Sequence, residues 1–135
     1  MNSDIKLKIE NLLKIVKELD KDNKVIFISI YGSSLTEKYN ALSDIDVAVY
    51  YNGTKKERFK FRIQLFGKLS DKFDVHIFQD VPLYIRSEII KTGEIIYTSD
   101  FTETSFIYSR VAREFSSFEK YLNHYYSVLR TGALE

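Results

Sequence analysis

Residues Val25-Ile26-Phe27-Ile28-Ser29-Ile30-Tyr31 form an almost unbroken β-prone run. A strand with one wet face alternates apolar and polar residues, so a run without alternation predicts a strand covered on both sides. Such a strand needs layers above and below it, and the flanking sequence supplies them. After Ser3, which offers a cap, Ile5, Ile9, Leu12, Val16 and Leu19 recur at steps of four and three with Lys and Glu between them, the pattern of an amphipathic helix. Asp20 to Lys24 is the polar break before the strand, and Gly32-Ser33 ends it.

Beyond Gly32-Ser33, the segment from Ser34 to Ala41 has room for a helical turn or two. A second β-branched and aromatic run follows from Ile45 to Tyr51, closed by Asn52-Gly53. Thr54 followed by Glu57 reads as a capping box, and Phe59, Ile63, Phe66 and Leu69 or Ser70 are expected to turn one face of the next helix toward a core. Phe73 to Phe78 is a third strand candidate. Pro82 suits the first turn of another helix with Leu83, Ile85, Ile89 and Ile90 as its apolar positions and Gly93 as its stop. Glu94 to Thr98 reads as a short fourth strand. Val111, Phe115, Phe118, Leu122, Tyr125 and Leu129 then predict a long helix from about Glu103 to Arg130. No repeat or linker interrupts the pattern, so residues 1–135 are expected to form a single α/β (α+β) domain; the closing Leu134-Glu135 reads as an expression remnant and carries no weight.

Composition narrows the function classes. Twenty Lys+Arg against nineteen Asp+Glu leave a net charge of +1, too little for the long-range field of a nucleic-acid binder. The absence of cysteine excludes disulfides, thiolate zinc sites and a cysteine nucleophile together, so any metal must rest on oxygen or imidazole. No apolar run approaches the length of a membrane span, and Met1 to Lys8 is too polar for a secretory signal, which points to the cytoplasm.

Asp44 and Asp46 stand one residue apart at a strand entrance, which projects both carboxylates to one face roughly 6–7 Å apart along the chain. Like charges held on one rigid edge repel, and a divalent cation removes that cost; Mg²⁺ suits an all-oxygen site of one or two carboxylates completed by substrate phosphates. Paired Asp residues also serve as turn, cap or solvated-face residues. Gly32-Ser33 lies where a buried strand ends: glycine permits close backbone approach to a ligand, and a serine hydroxyl with the first amides of a helix can receive phosphate. A plain turn is the simpler reading. Asp74 adds a third carboxylate inside a β-rich segment, where it must face water, a partner or a metal.

The hydrophobic strand into Gly32-Ser33, then Ser43-Asp44-Ile45-Asp46-Val47-Ala48-Val49, then Phe73-Asp74-Val75, resembles the minimal nucleotidyltransferases of the DNA polymerase β superfamily over nearly the whole chain. The resemblance implies a mixed sheet flanked by helices, with Asp44, Asp46 and Asp74 as a catalytic triad that binds two Mg²⁺ ions. Gly32, Ser33 and Ser43 would hold a nucleoside triphosphate. It further implies transfer of a nucleotide monophosphate, AMP from ATP, to a hydroxyl, with Asp74 able to accept the proton. Stand-alone members suggest an antitoxin that modifies a tyrosine of a HEPN-class ribonuclease toxin. A small-molecule acceptor, and a degenerate module that neutralises its partner by contact alone, are the alternatives. Many relatives carry a small residue, a cation and Gly after the Gly-Ser pair, whereas this chain has Ser34-Leu35-Thr36-Glu37, with Lys38 as a substitute cation.

His76, two residues after Asp74, shares its strand face and is read either as a group that touches substrate or tunes Asp74, or as a half-exposed structural histidine. His124 falls among polar tail positions and reads as solvent-facing. The run Lys55-Lys56-Glu57-Arg58-Phe59-Lys60-Phe61-Arg62 reads as an amphipathic helix with a solvated basic face in preference to a nucleic-acid patch. Ten tyrosines and ten phenylalanines exceed the needs of one small core, and the tyrosines near the end make the tail a candidate partner or self-association surface.

Overall fold

The computed structural model describes residues 3–32, 44–69 and 72–132. Helix α1 (Ser3–Leu19) leads into strand β1 (Val25–Tyr31), and β2 (Ile45–Tyr51) returns beside it. Helix α2 (Lys55–Lys68) carries the chain to β3 (Phe73–Ile77), and a 3-10 turn over Phe78–Asp80 precedes helix α3 (Leu83–Thr92), strand β4 (Glu94–Thr98) and helix α4 (Phe101–Thr131). The sheet order is β3-β2-β1-β4. Strand β1 pairs antiparallel with both β2 and β4, and β2 pairs parallel with β3, the parallel pair joined by the crossover through α2 that such a pair requires. The mixed sheet, its flanking helices and the long last helix are as expected.

Each face of the sheet has its own core. On one, Ile5, Ile9, Leu12 and Val16 of α1 and Phe61 and Leu65 of α2 pack on Ile28 and Ile30 of β1, the odd-numbered residues of β2 from Ile45 to Val49, and Phe73, Val75 and Ile77 of β3. On the other, Phe27, Ala48 and Phe78 pack with Ile89 of α3 and Ile107 and Val111 of α4. A register shift between Val25 and Phe27 puts Ile26 and Phe27 in the same core although they are adjacent, the effect of a β-bulge. Strand β1 is therefore buried on both faces, as its unbroken run requires.

Helix α2 turns the opposite way from expectation. Phe59, Ile63 and Phe66 are 62%, 51% and 62% exposed, while Phe61, Leu65 and partly Leu69 face the core; Ser70 lies outside the described residues. Two apolar stripes compete on this helix, and tertiary contacts select between them. Phe61 stacks on Tyr51 with ring centroids 4.6 Å apart, Arg58 forks onto Asp80 at 2.8 and 3.2 Å, and Arg62 Nε donates to the Val75 carbonyl at 2.8 Å. The basic face is thus not wholly solvated: both arginines lock the helix to β3 and the turn after it. The capping box forms, with Thr54 Oγ1 accepting from the Glu57 amide at 3.2 Å and Glu57 accepting from the Thr54 amide at 2.9 Å.

Two boundaries shift slightly. Strand β3 stops at Ile77, because Phe78 opens the 3-10 turn, and α4 starts at Phe101, where Asp100 caps it by accepting from the Glu103 amide at 3.0 Å. Only Thr104, Ile107 and Val111 of α4 are buried, and contacts from α3 reach Glu114 and Phe115, so the tail packs on its own domain for its first half. No helix among the described residues is long and apolar enough to cross a membrane.

Replacing Leu65 by Ala should cost about 2–5 kcal/mol, and Phe59 by Ala within about 0.5 kcal/mol, in chemical denaturation, the reverse of what the sequence stripe implies. The Glu57 carboxyl is held down to about 2 by its hydrogen bond from Lys24 and by those with Thr54. A depressed carboxylate contributes stability above its unfolded value and loses it as pH falls through the folded one. Glu57→Gln should therefore melt below the parent at neutral pH, with the gap closing between about pH 4.5 and 2 in a thermal titration.

Candidate active site

The alternation of β2 sends Ile45, Val47 and Val49 into the first core and Asp46 to the other face. Parallel pairing then sets Asp46 beside Asp74, and antiparallel pairing sets Tyr31 beside Asp46. Tyr31, Asp46 and Asp74 therefore form one row across three adjacent strands, at the roughly 4.8 Å spacing of neighbouring strands. Asp44 stands exposed one residue before β2. His76 Nε2 lies 3.1 Å from Asp74 Oδ2, with both side chains partly open to solvent.

Charge crowding is written into the ionisation of this row. Burial raises the Asp46 carboxyl above its usual range, Asp74 and Asp44 push it further, and His76 opposes them. Tyr31 is pushed up to about 12, first by burial and then by the negative charge of Asp46, Asp74 and Glu88 on α3. Gly32 ends β1 with φ of +73°, the left-handed region, and a methyl group added there would collide with Asp46 Oδ2. The glycine thus brings backbone directly against the carboxylate row, an approach no other residue permits.

Of the residues singled out in the sequence, Gly32, Asp46 and Asp74 come together, with Asp44 close enough to act electrostatically on Asp46. Ser33, Ser43 and the stretch from Ser34 to Ala41, with Glu37 and Lys38, lie outside the described residues. Among the described residues, no group of three His, Asp or Glu side chains stands ready-made to hold a metal ion. His124 is exposed on α4. Tyr31 and Glu88 were not singled out from sequence. The signal for Tyr31 was its parity with Phe27 and Ser29 in the strand; Glu88 had none, since it reaches the row only through the packing of α3.

Gly32→Ala should destabilise the protein by about 1–3 kcal/mol in thermal unfolding, since it combines a strained φ with the Asp46 collision. A raised carboxyl makes the folded state hold its proton more tightly, so stability falls as pH rises past the unfolded carboxylate value. Asp46→Asn should accordingly melt above the parent at neutral pH in chelator, and the gain should vanish in acid below the ordinary carboxylate range.

Residues 13–102 match the sequence family described as "Polymerase beta, Nucleotidyltransferase". The "Putative protein adenylyltransferase" of Methanocaldococcus jannaschii is 37% identical over 75 residues, 56% of this chain and 57% of that protein, so the match spans just over half of the curated relative's length. Among solved structures, a chain of a mutant MntA–HpeT toxin–antitoxin complex superposes with a TM-score of 0.69 at 11% identity, covering 90% of this chain and 97% of that one. A chain from the complex of tri-AMPylated Shewanella oneidensis HEPN toxin with MNT antitoxin superposes at 0.59 with 13% identity, covering 93% and 96%. A toxin–antitoxin structure with AMP-PNP gives 0.59 at 19% identity, covering 93% and 99%. The fold is shared with these chains, and with two thirds of its length matched the protein belongs to the polymerase β nucleotidyltransferase family.

Proposed function

We propose that this chain transfers AMP from ATP to a hydroxyl, that the acceptor is a tyrosine of a HEPN-class toxin, and that this modification makes it a cytoplasmic antitoxin. The observation that carries the reading is the alignment of Asp46 with Asp74 across β2 and β3, with Gly32 closing against them. Family membership supports the reaction class. The name of the Methanocaldococcus jannaschii relative, the AMPylated toxin in the Shewanella oneidensis complex and the AMP-PNP bound in another support donor and acceptor.

The donor set fits a hard cation: its groups are carboxylates, and Asp46, raised first by burial and then by the charges of Asp74 and Asp44, is crowded in a way that a divalent ion relieves. Asp44, Asp46 and Asp74 would hold Mg²⁺, which when bound neutralises the triphosphate and the charge developing in transfer. Gly32, Ser33 and Ser43 are assigned to the phosphates, the glycine through its backbone, which lies against Asp46. The acceptor oxygen forms a bond to the α-phosphorus as the bond from that phosphorus to the bridging oxygen breaks, and pyrophosphate leaves. The acceptor proton passes to Asp74, whose Oδ2 His76 keeps in place.

A contact-only antitoxin is favoured by one observation, the Ser34-Leu35-Thr36-Glu37 sequence where many relatives carry a cation. Incubation of the chain with ATP, Mg²⁺ and its co-encoded HEPN protein should add AMP-sized mass increments to that protein. Asp46→Asn and Asp44→Ala should each slow the gain by roughly 100-fold or more, as loss of a group that stabilises transition-state charge does. A stable complex with no mass gain, unaffected by Asp44→Ala, would establish inhibition by contact instead.

A further inference from the structure

The last helix carries a continuous apolar stripe that its own domain covers only in part. Helix α3 reaches α4 as far as Phe115: Arg86 pairs with Glu114 at 3.9 Å, and Lys91 Nζ sits 4.5 Å over the Phe115 ring. From 116 to 131 the helix runs on for about 24 Å, at about 1.5 Å per residue, with none of its side chains buried. Its ending is defined by Gly132, whose φ of +71° caps the helix and whose amide donates to the Leu129 carbonyl.

The uncovered stretch is patterned. With Phe115, Leu122 and Leu129 at heptad position a and Val111, Phe118 and Tyr125 at d, the buried contact at Val111 continues in phase to the helix end. Lys120, Asn123, His124, Ser127 and Arg130 fall on the opposite face. Phe118, Tyr121, Tyr125, Tyr126 and Leu129 are all more than 40% exposed, a contiguous patch of the kind that marks an interface.

We propose that the covering element is the same helix of a second copy of this chain, laid antiparallel across the two-fold axis of a homodimer. Two features of the helix select this occupant and this direction. The first is length: pairing Phe118 with the partner's Leu129, and Leu122 with the partner's Tyr125, stacks four apolar layers. It also brings the partner's helix end to Phe115, where α3 stops, so the two tails fill each other's uncovered span. The second is charge. Glu114 and Glu119 occupy g and e, and a parallel pair would set them against each other, a repulsion of like charges across the seam. The antiparallel pair sets Glu119 against the partner's Tyr126, whose hydroxyl can donate to it, and opposes the two helix dipoles. The interface is isologous, as a two-fold dimer requires, and each nucleotidyltransferase domain stands at an opposite end of the paired rod.

Light scattering after size exclusion should give twice 15.9 kDa for the full chain. Leu122→Glu should halve that mass while the protomer stays folded, with unchanged far-UV circular dichroism and a melting temperature that no longer rises with protein concentration, because the side chain lies outside both cores. Since the chain has no cysteine, engineered thiols report direction cleanly. Phe118→Cys combined with Leu129→Cys should cross-link under mild oxidation, and Phe118→Cys alone should not, its two copies lying about 16 Å apart along the axis. A monomer at every concentration, a dimer indifferent to Leu122→Glu, cross-linking by Phe118→Cys alone, or burial of the tail only when a different protein is added would each overturn the proposal.

Discussion

The parallel, in-register pairing of β2 with β3 is the constraint on which the rest of the molecule turns. Because both strands alternate, one register sends Ile45, Val47, Phe73 and Val75 into the α1/α2 core and leaves Asp46 and Asp74 together on the opposite face. A slip of one residue would drive carboxylates into hydrocarbon and expel the core, so packing and chemistry are specified by the same hydrogen bonds. Helix α2 is the device that makes this pairing possible, and its two arginines fasten it where the parallel strands meet solvent.

The site is assembled against the preference of its own charges. Two carboxylates in adjacent register, a third one residue before the strand and a tyrosine whose ionisation burial and their charge oppose make a crowded patch that His76 relieves in part. Gly32 sharpens the conflict by admitting backbone where a side chain would hold Asp46 at a distance. The two hydrophobic layers offset this, each anchored on a face of β1, and the site lies at the end of that strand, where burial gives way to solvent.

Much of this could be read in the residues. The unbroken run of β1 announced a central strand, and the period of α1 announced its buried face. What escaped were choices made by tertiary contact. Helix α2 has apolar stripes on both sides, and nothing local distinguishes Phe59, Ile63 and Phe66 from Phe61 and Leu65. The selection comes from Tyr51, Asp80 and the Val75 carbonyl, which are distant in sequence. Tyr31 joined the site through a cross-strand register that one strand alone does not encode, and Glu88 through helix packing. The tail shows the converse, since its heptad pattern was legible and yet its second half lies off the domain. Periodicity records that a face is to be covered without recording by which body.

The arginine that bonds the Val75 carbonyl has a consequence for what can join the sheet. Strand β3 is the sheet margin nearest the carboxylates, and an open margin invites foreign polypeptide to join as an extra ribbon, with fibre formation as its pathological form. Arg62 already donates to the Val75 carbonyl, so one acceptor that an added ribbon would need on β3 is taken.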